Sequence, residues 1–345
     1  MKTLKIHGGT GVSTLLIGEK LQNLSKYTPA ENVIIISDAN VCRFYRNDFP
    51  VKEIIQIGAG EAVKTLDTVS YIYEKLLELE ADRSSFIVGI GGGIVCDIAG
   101  FVASTYLRGV RFGFVSSTLL SQVDASVGGK NGVNFGGYKN MVGVFNQPEF
   151  VICDTAMLKT LPESEVLCGF AEIVKHAAIA DVDLLTYIED HCEKALALDT
   201  DVIEKLVYDS VVIKSSIVNR DEKEKGERRK LNFGHTFGHA IEKTTAVPHG
   251  EAVSAGMVLA SALSEQRGSL SAGDAQRIEK LLARLKLPTR LQVDREMVLE
   301  ALRKDKKRER DSIHFVLLQG LGNAFVEEIP IKELEKVVRD TSQNI

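Results

Sequence analysis

The chain has little of what would quickly classify it. No apolar run reaches the roughly 18 residues that a membrane-spanning helix needs, so no membrane partner is expected. The five cysteines, Cys42, Cys96, Cys153, Cys168 and Cys192, are odd in number, scattered and never spaced as CxxC. That pattern argues against a disulfide frame or a cysteine zinc site and fits thiols kept reduced in the cytoplasm. Positive charge is not in excess: 42 Lys and Arg against 47 Asp and Glu leave a net charge of −5. No nucleic-acid partner is expected, and any anion site must be built locally. Low-complexity linkers are lacking, as are repeats on the scale of about 20–50 residues. The opening stretch MKTLKIHGGTGVSTLLIG has no continuous apolar core, because Gly8, Gly9 and Gly11 interrupt it. It reads as a strand and turn of the mature protein rather than as a signal segment.

What is present fits a globular enzyme. A chain of 345 residues is long for one domain and suggests two. Short β-rich runs occur at Val33–Ser37, Ile54–Ile57, Phe86–Ile90, Phe112–Val115 and Val151–Cys153, with helical patterns over Glu61–Leu79 and Ile94–Tyr106 between them. Strands alternating with helices imply an α/β Rossmann-like domain with a mostly parallel sheet, placed at 1–158. From Glu163 to about Lys286 the segments are long and amphipathic or rich in small residues. They predict a mainly α-helical second domain, 159–345, interrupted by Pro288 and the short run His314–Leu318.

The densest chemistry lies in RKLNFGHTFGHAIE, Arg229–Glu242, and in PHGEAVSAG from Pro248. His235, His239 and His249 stand close in sequence beside Gly234, Gly238 and Gly250. One such histidine would more often be a satisfied core imidazole. Three of them suggest a metal or catalytic site. His235 and His239, at i and i+4 on one helix face, could share a zinc ion as in HExxH proteases, but Thr236 stands where the general-base Glu would be. Two triads remain open on spacing alone: His235 and His239 with a carboxylate, or Glu172, His235 and His249 with His239 left for proton transfer. Glu172 and Lys175 share a helix face in GFAEIVKH, and their apolar neighbours argue for a buried carboxylate that needs a partner. His7, His191 and His314 stand alone and read as structural, while the role of His176 stays open.

Three further segments suggest anion binding. Phe86–Asp97 is a strand running into Gly91, Gly92 and Gly93 and then into a helix, which suits a phosphate at the helix N-terminus. It is not a full dinucleotide fingerprint, since Cys96 stands where GxGxxG needs its last glycine. Asp38 ends a strand and could accept hydrogen bonds from a ribose, although an ordinary turn Asp would look the same. Ser126–Gly143, with its glycines, Lys130, Lys139 and Asn140, reads as a loop that wraps an anion with N–H groups and ammonium charges.

These residues carry a resemblance. GGGIVCDIAGFVAS, YLRGVRF, STLLSQVDASVGGKNGVN, GYKNMVG, LKTLP, GFAEIVKH, NFGHTFGHAIE and HGEAV occur in the order found in 3-dehydroquinate synthases, of the sugar phosphate cyclase group, from about Asp38 to Lys307. The resemblance implies metal ligands Glu172, His235 and His249, usually for Zn²⁺ and otherwise for Co²⁺. It implies NAD binding by Asp38, Glu61, Lys64, Gly91, Gly92, Gly93, Ile94, Asp97, Ser117, Thr118, Asp124, Lys130, Lys139, Met157, Thr160 and Leu161. Substrate and catalytic roles fall to Arg108, Lys130, Asn140, Lys175, Lys214, Glu224, Arg228, Asn232, His239 and one of Lys306 and Lys307. The implied reaction converts 3-deoxy-D-arabino-heptulosonate 7-phosphate to 3-dehydroquinate and phosphate, the second step of the shikimate pathway. Its stages are transient oxidation with NAD, β-elimination of phosphate, reduction, ring opening and an intramolecular aldol closure. A homodimer is the family habit. The alternatives are another sugar phosphate cyclase, or a metal-dependent alcohol or glycerol dehydrogenase, which shares the two-domain plan and the glycine turn. His176 departs from the family, where Tyr is common, and the short TTAV between the two histidine motifs implies a tight turn.

Overall fold

The computed structural model describes residues 1–303, 308, 309 and 312–340. Two compact units emerge: Met1–Leu161 with Ile203–Glu222, and Pro162–Val202 with Lys223–Ile345. The first break lies close to the expected one. The return of 203–222 to the first unit is an addition, because a continuous helical pattern carries no sign of which unit its faces serve.

Unit 1 holds strands β1 (Lys2–Gly8), β2 (Gly11–Ile17), β3 (Val33–Asp38), β4 (Ile54–Ile57), β5 (Phe86–Gly91), β6 (Arg111–Ser116), β7 (Lys130–Phe135), β8 (Tyr138–Phe145) and β9 (Phe150–Cys153). Its helices include α1 (Ala39–Tyr45), α2 (Leu66–Glu78) and α3 (Gly93–Thr105). Seven strands form one sheet in the order β1-β2-β9-β6-β5-β3-β4. All pair in parallel except the β1–β2 hairpin at one edge. Central strands such as β5, FIVGIG, are buried along their whole length, which is why they read as continuous apolar runs rather than alternating ones. Strand order reverses between β3 and β5: the chain runs outward from β3 to β4, and from β5 the other way to β6. The carboxyl ends of strands at such a reversal are where open α/β sheets bind ligands.

Two expectations for this unit are corrected. Ser126–Gly143 is not a loop: most of it forms the β7–β8 hairpin, a separate two-stranded sheet with an irregular register near Val133. The signal was Gly136-Gly137 between Phe135 and Tyr138, two glycines at φ 58° and 78° that suit a tight hairpin turn. Glu61–Leu79 is not one helix either. A 3-10 turn at Glu61–Val63 is followed by a break, and α2 then starts behind Thr65, whose hydroxyl caps the Thr68 N–H.

In the second half lie α4 (Glu163–Ala180), α5 (Val182–Asp190), α6 (Cys192–Leu196), α7 (Thr200–Arg220), α8 (His235–Thr244), α9 (His249–Gln266), α10 (Ala272–Arg284), α11 (Arg295–Arg303) and α12 (Ile331–Asp340). Most of α7 belongs to unit 1, and the rest of this set builds unit 2. Strands β10 (Arg308–Glu309), β11 (Ser312–Leu318) and β12 (Ala324–Pro330) form a small antiparallel sheet. The run His314–Leu318 marked that sheet, whereas β12, with its exposed glutamates, gave no apolar alternation to find. Helix α4 is buried from Val166 to Ile179, and small residues along it and α9 let both serve as the core of unit 2.

Candidate functional site

Within unit 1, the expected cofactor residues collect along one edge of the sheet. Ser37 pairs with Ile90, Gly91 with Ser116, and Ser116 with Cys153. The chain therefore leaves β3 at Asp38, β5 at Gly91 and β6 at Ser117 on the same side, with Asp154 following β9. Helix α3 starts behind Gly92 with no side-chain cap, an arrangement that suits an anion. The glycines also serve packing: a Cβ on Gly91 would lie 2.5 Å from Val95 Cγ2, and one on Gly93 would lie 2.7 Å from Ala125 Cβ. Asp38 caps α1, accepting from the Val41 N–H at 2.9 Å, and burial lifts its carboxyl above the usual carboxylate range.

A polar network ties this edge to the hairpin. Buried Lys64 donates to Asp97, on α3, and to Asn140 Oδ1 at 2.6 Å. Asn134 Oδ1 accepts from the Asn140 N–H at 2.8 Å, and the Asn134 amide donates to Glu61 at 2.8 Å. Asn140 sits at φ 51°, a left-handed conformation that Asn tolerates better than most residues. Asn134 was overlooked in the sequence because an amide within a glycine-rich stretch looks like any turn residue. Lys130 and Lys139 are exposed on β7 and β8. Lys214 is buried and donates to the Asp124 carboxylate at 2.7 Å and to its carbonyl at 2.5 Å. Ser117 is buried, and Thr118 bonds Ser121. Thr160 is exposed and paired with Tyr45 at 2.8 Å, beside the half-buried Leu161.

Met157 and Arg108 have other surroundings. Met157 turns its side chain into the hydrophobic core and is 2% exposed. Arg108 is exposed on a turn where Leu107, Arg108 and Gly109 all have positive φ. It lies past the far end of α3, roughly 20 Å along that helix from the Gly91 turn.

In unit 2 the histidine cluster is real. Glu172 is 1% exposed, with Oε1 at 3.4 Å from His235 Nε2 and 3.6 Å from His249 Nε2. Its other oxygen, Oε2, is held by Lys175, which is 2% exposed, so this i,i+3 pair is a buried one. His235 Nδ1 faces the Phe233 carbonyl at 3.2 Å, which assigns its hydrogen to Nδ1 and its lone pair to Nε2. Burial and the Lys175 charge hold the His235 pKa well below normal, so the ring is neutral. Burial also pulls on His249, but the Glu172 and Glu242 carboxylates outweigh it and raise its pKa to about 9. The His239 ring stands edge-on to His235, with centroids 5.1 Å apart. Asn232 donates to Glu224 at 2.7 Å, and Arg228 is buried in the same connecting segment. Lys306 and Lys307 lie outside the described residues.

The glycines among the histidines explain how α8 and α9 bring His235 and His249 together. Only Thr245–Pro248 separate the two helices, the tight connection expected. A Cβ on Gly256 would fall 2.1 Å from the Gly234 carbonyl oxygen, and one on Gly238 would fall 3.1 Å from the Ala252 oxygen. A Cβ on Gly250 would fall 2.3 Å from Cys168 Cα, on the helix that carries Glu172. Backbones thus approach where side chains would hold them apart.

A metal ion fits this pocket. Ligand atoms about 2.1 Å from a tetrahedral zinc lie about 3.4 Å from one another. The two Glu172 contacts match that spacing, and the ligand atoms of Glu172, His235 and His249 all lie within 4.8 Å of one another. His239, Glu242 and His249 form a second group under the same limit.

Comparison with known proteins covers most of the chain. Residues 54–168 match the family described as 3-dehydroquinate synthase N-terminal, and residues 169–308 match 3-dehydroquinate synthase C-terminal. A 3-dehydroquinate synthase of Dehalococcoides mccartyi (strain CBDB1) is 41% identical over 328 residues, 92% of this chain and 91% of that protein. Among solved structures, 2-deoxy-scyllo-inosose synthase complexed with carbaglucose-6-phosphate, NAD⁺ and Co²⁺ superposes with a TM-score of 0.88 at 27% identity, covering 98% of this chain and 100% of that one. The 2-epi-5-epi-valiolone synthase of Streptomyces hygroscopicus subsp. jinggangensis 5008, with NAD⁺ and Zn²⁺ bound, gives 0.86 at 25% identity, covering 98% of each chain.

Proposed function

The chain belongs to the 3-dehydroquinate synthase family, and from that premise we propose how its residues divide the work. The enzyme converts 3-deoxy-D-arabino-heptulosonate 7-phosphate to 3-dehydroquinate and phosphate, a lyase reaction of the shikimate pathway. Its cofactors are NAD and a divalent metal, zinc or cobalt. When bound, NAD accepts and returns one hydride while the metal polarises the hydroxyl being oxidised and the ketone that results.

In this reading residues 1–158 are the NAD-binding domain and 159–345 the metal- and substrate-binding domain, with Lys214 serving beside Asp124. The uncapped N–H groups at the start of α3 receive the pyrophosphate, and Asp38 accepts from the adenosine ribose. Glu61, Lys64, Asp97, Ser117, Thr118, Lys130 and Lys139 complete that site. Glu172, His235 and His249 hold the metal, and the 3.4 and 3.6 Å contacts to Glu172 carry the assignment. His239 stays off the metal and, with Asn232, steers hydroxyl protons. Lys175 orients Glu172 and, with Lys130, puts positive charge on the departing phosphate. Lys214, Arg228, Glu224 and Asn140 position the remaining polar groups. The leaving phosphate itself takes the ring proton, so the protein needs no dedicated base for elimination. A homodimer and a cytoplasmic setting complete the proposal. Exposed Phe135, Tyr138, Met141 and Phe145 on the hairpin support the first, and five buried cysteines outside any disulfide support the second. Among the described residues no helix is long and apolar enough to cross a membrane.

The direct test is purified protein with Zn²⁺, the heptulosonate phosphate and NAD⁺ far below substrate. Phosphate should be released to completion with no net rise in nicotinamide absorbance. NADH accumulating in step with substrate loss would mark a simple dehydrogenase instead.

Metal binding should also follow pH. Without metal, His249 is protonated below about pH 9. Its folded pKa is raised, so that proton stabilises the metal-free fold below the ordinary histidine range and the effect fades as pH rises through 9. Binding at Nε2 expels the proton, whereas neutral His235 has none to lose. Zinc affinity measured by chelator competition should therefore climb about tenfold per pH unit toward pH 9 and flatten above it. A flat profile from pH 7 to 9 would contradict the assignment.

A further inference from the structure

We propose that Glu242 is a positioning residue for the metal, holding His249 through Nδ1 so that Nε2 faces Glu172. Glu242 Oε2 lies 3.1 Å from His249 Nδ1, while His249 Nε2 lies 3.6 Å from Glu172 Oε1. One imidazole thus bridges two carboxylates along a single line. His249 needs such a hold more than His235 does. It is the first residue of α9, entered directly from Pro248, and that helix start has no side-chain cap. No preceding helical turn restricts its ring. His235 is oriented locally by the carbonyl of Phe233, two residues back. At His249 Nδ1 the partner is the Glu242 carboxylate, which reaches it from the neighbouring helix, two turns beyond His235 on α8. The pair is also sheltered, with side chains 28% and 15% exposed.

Glu242 could instead be a ligand, since its oxygen, His239 and His249 lie close enough to hold an ion. The geometry disfavours this. Glu242 meets His249 on the nitrogen facing away from Glu172, and an imidazole binding metal through Nε2 carries its hydrogen on Nδ1, which requires an acceptor. A carboxylate there fixes the tautomer and makes Nε2 a stronger donor to the metal.

The inference rests on the metal reading of Glu172, His235 and His249, and the experiment separates the two. Zinc dissociation constants by chelator competition are measured for the wild type, Glu242→Ala, Glu242→Gln and His249→Ala, together with the visible absorption of the Co²⁺ forms. Glu242→Ala should weaken zinc about 10–100-fold. Glu242→Gln, whose amide oxygen still accepts, should lose only several-fold, and it keeps the test valid should the alanine variant misfold. Both should keep the wild-type Co²⁺ spectrum, because the ligands are unchanged, and both should bind NAD as the wild type does. Wild-type zinc affinity in both variants would overturn the proposal. So would a Co²⁺ spectrum altered as in His249→Ala, which would make Glu242 a ligand. Unchanged zinc affinity in His249→Ala would bring down the metal reading and this inference together.

Discussion

His249→Ala is expected to empty the metal site, while His239→Ala, ten residues earlier, should leave it filled and stop turnover. The two rings are 6.2 Å apart and sit on adjoining helices, so crude proximity does not separate them. The contacts do. His249 Nε2 faces the buried Glu172 oxygen that His235 also faces, whereas His239 groups with Glu242 and His249. Dividing a zinc site's binding free energy among three ligands puts the loss from one at the order of 10²–10³-fold in affinity. A group that moves protons in the transition state contributes about 10²–10⁴-fold to rate, and that loss should appear in kcat for His239→Ala. Metal content by atomic absorption, alongside phosphate release, reads both quantities on the same samples. Equal metal loss in the two variants would return the i,i+4 pair His235–His239 to contention.

That alternative shows where sequence legibility ended. Spacing alone left two triads standing, because i,i+4 geometry on one helix is visible in a string of letters and the approach of three separate helices is not. Glu172 lies 63 positions before His235, and only the packing of α4 against α9 brings it near. The parallel sheet and its glycine turn were legible, since fully buried strands are apolar without interruption. The β7–β8 hairpin was not, because glycines and polar residues interrupt its apolar positions and Tyr138, Met141 and Phe145 are exposed. Glu242 was passed over for a related reason: it ends the HTFGHAIE motif and looks like a solvated helix face until His249 is folded back beside it.

Among possible sugar phosphates, the carboxylated heptulosonate should be turned over on the order of 10⁴-fold more efficiently than sedoheptulose 7-phosphate or glucose 6-phosphate. Phosphate is common to all three, so it cannot discriminate. The carboxylate can, because taking it out of water without a cationic or strongly donating partner is costly. The proposed substrate residues Lys130, Lys139, Asn140, Lys175, Lys214, Arg228, Asn232 and His239 are rich in such partners. Lys175, Lys214 and Arg228 are buried, where a charge left facing an uncharged substrate is penalised most. Phosphate release from the three compounds side by side, with NAD⁺ and Zn²⁺ present, gives the ratio of kcat/KM directly. Comparable turnover of either uncharged-headed sugar would refute the carboxylate preference and leave the metal and nucleotide assignments intact.

The close approach of α8 and α9 has a consequence for anyone wishing to make this enzyme more robust. Mid-helix glycine is ordinarily the first target, since alanine gains about 1 kcal/mol in helix propensity at an open position. Gly238 and Gly256 would rank high on such a list when read as helix interiors. Yet Gly256 faces a carbonyl oxygen that its new methyl would have to displace. The weakest helix formers in these two segments are therefore the ones a thermostability campaign should leave alone. Stabilising substitutions belong on solvated faces such as that of α10.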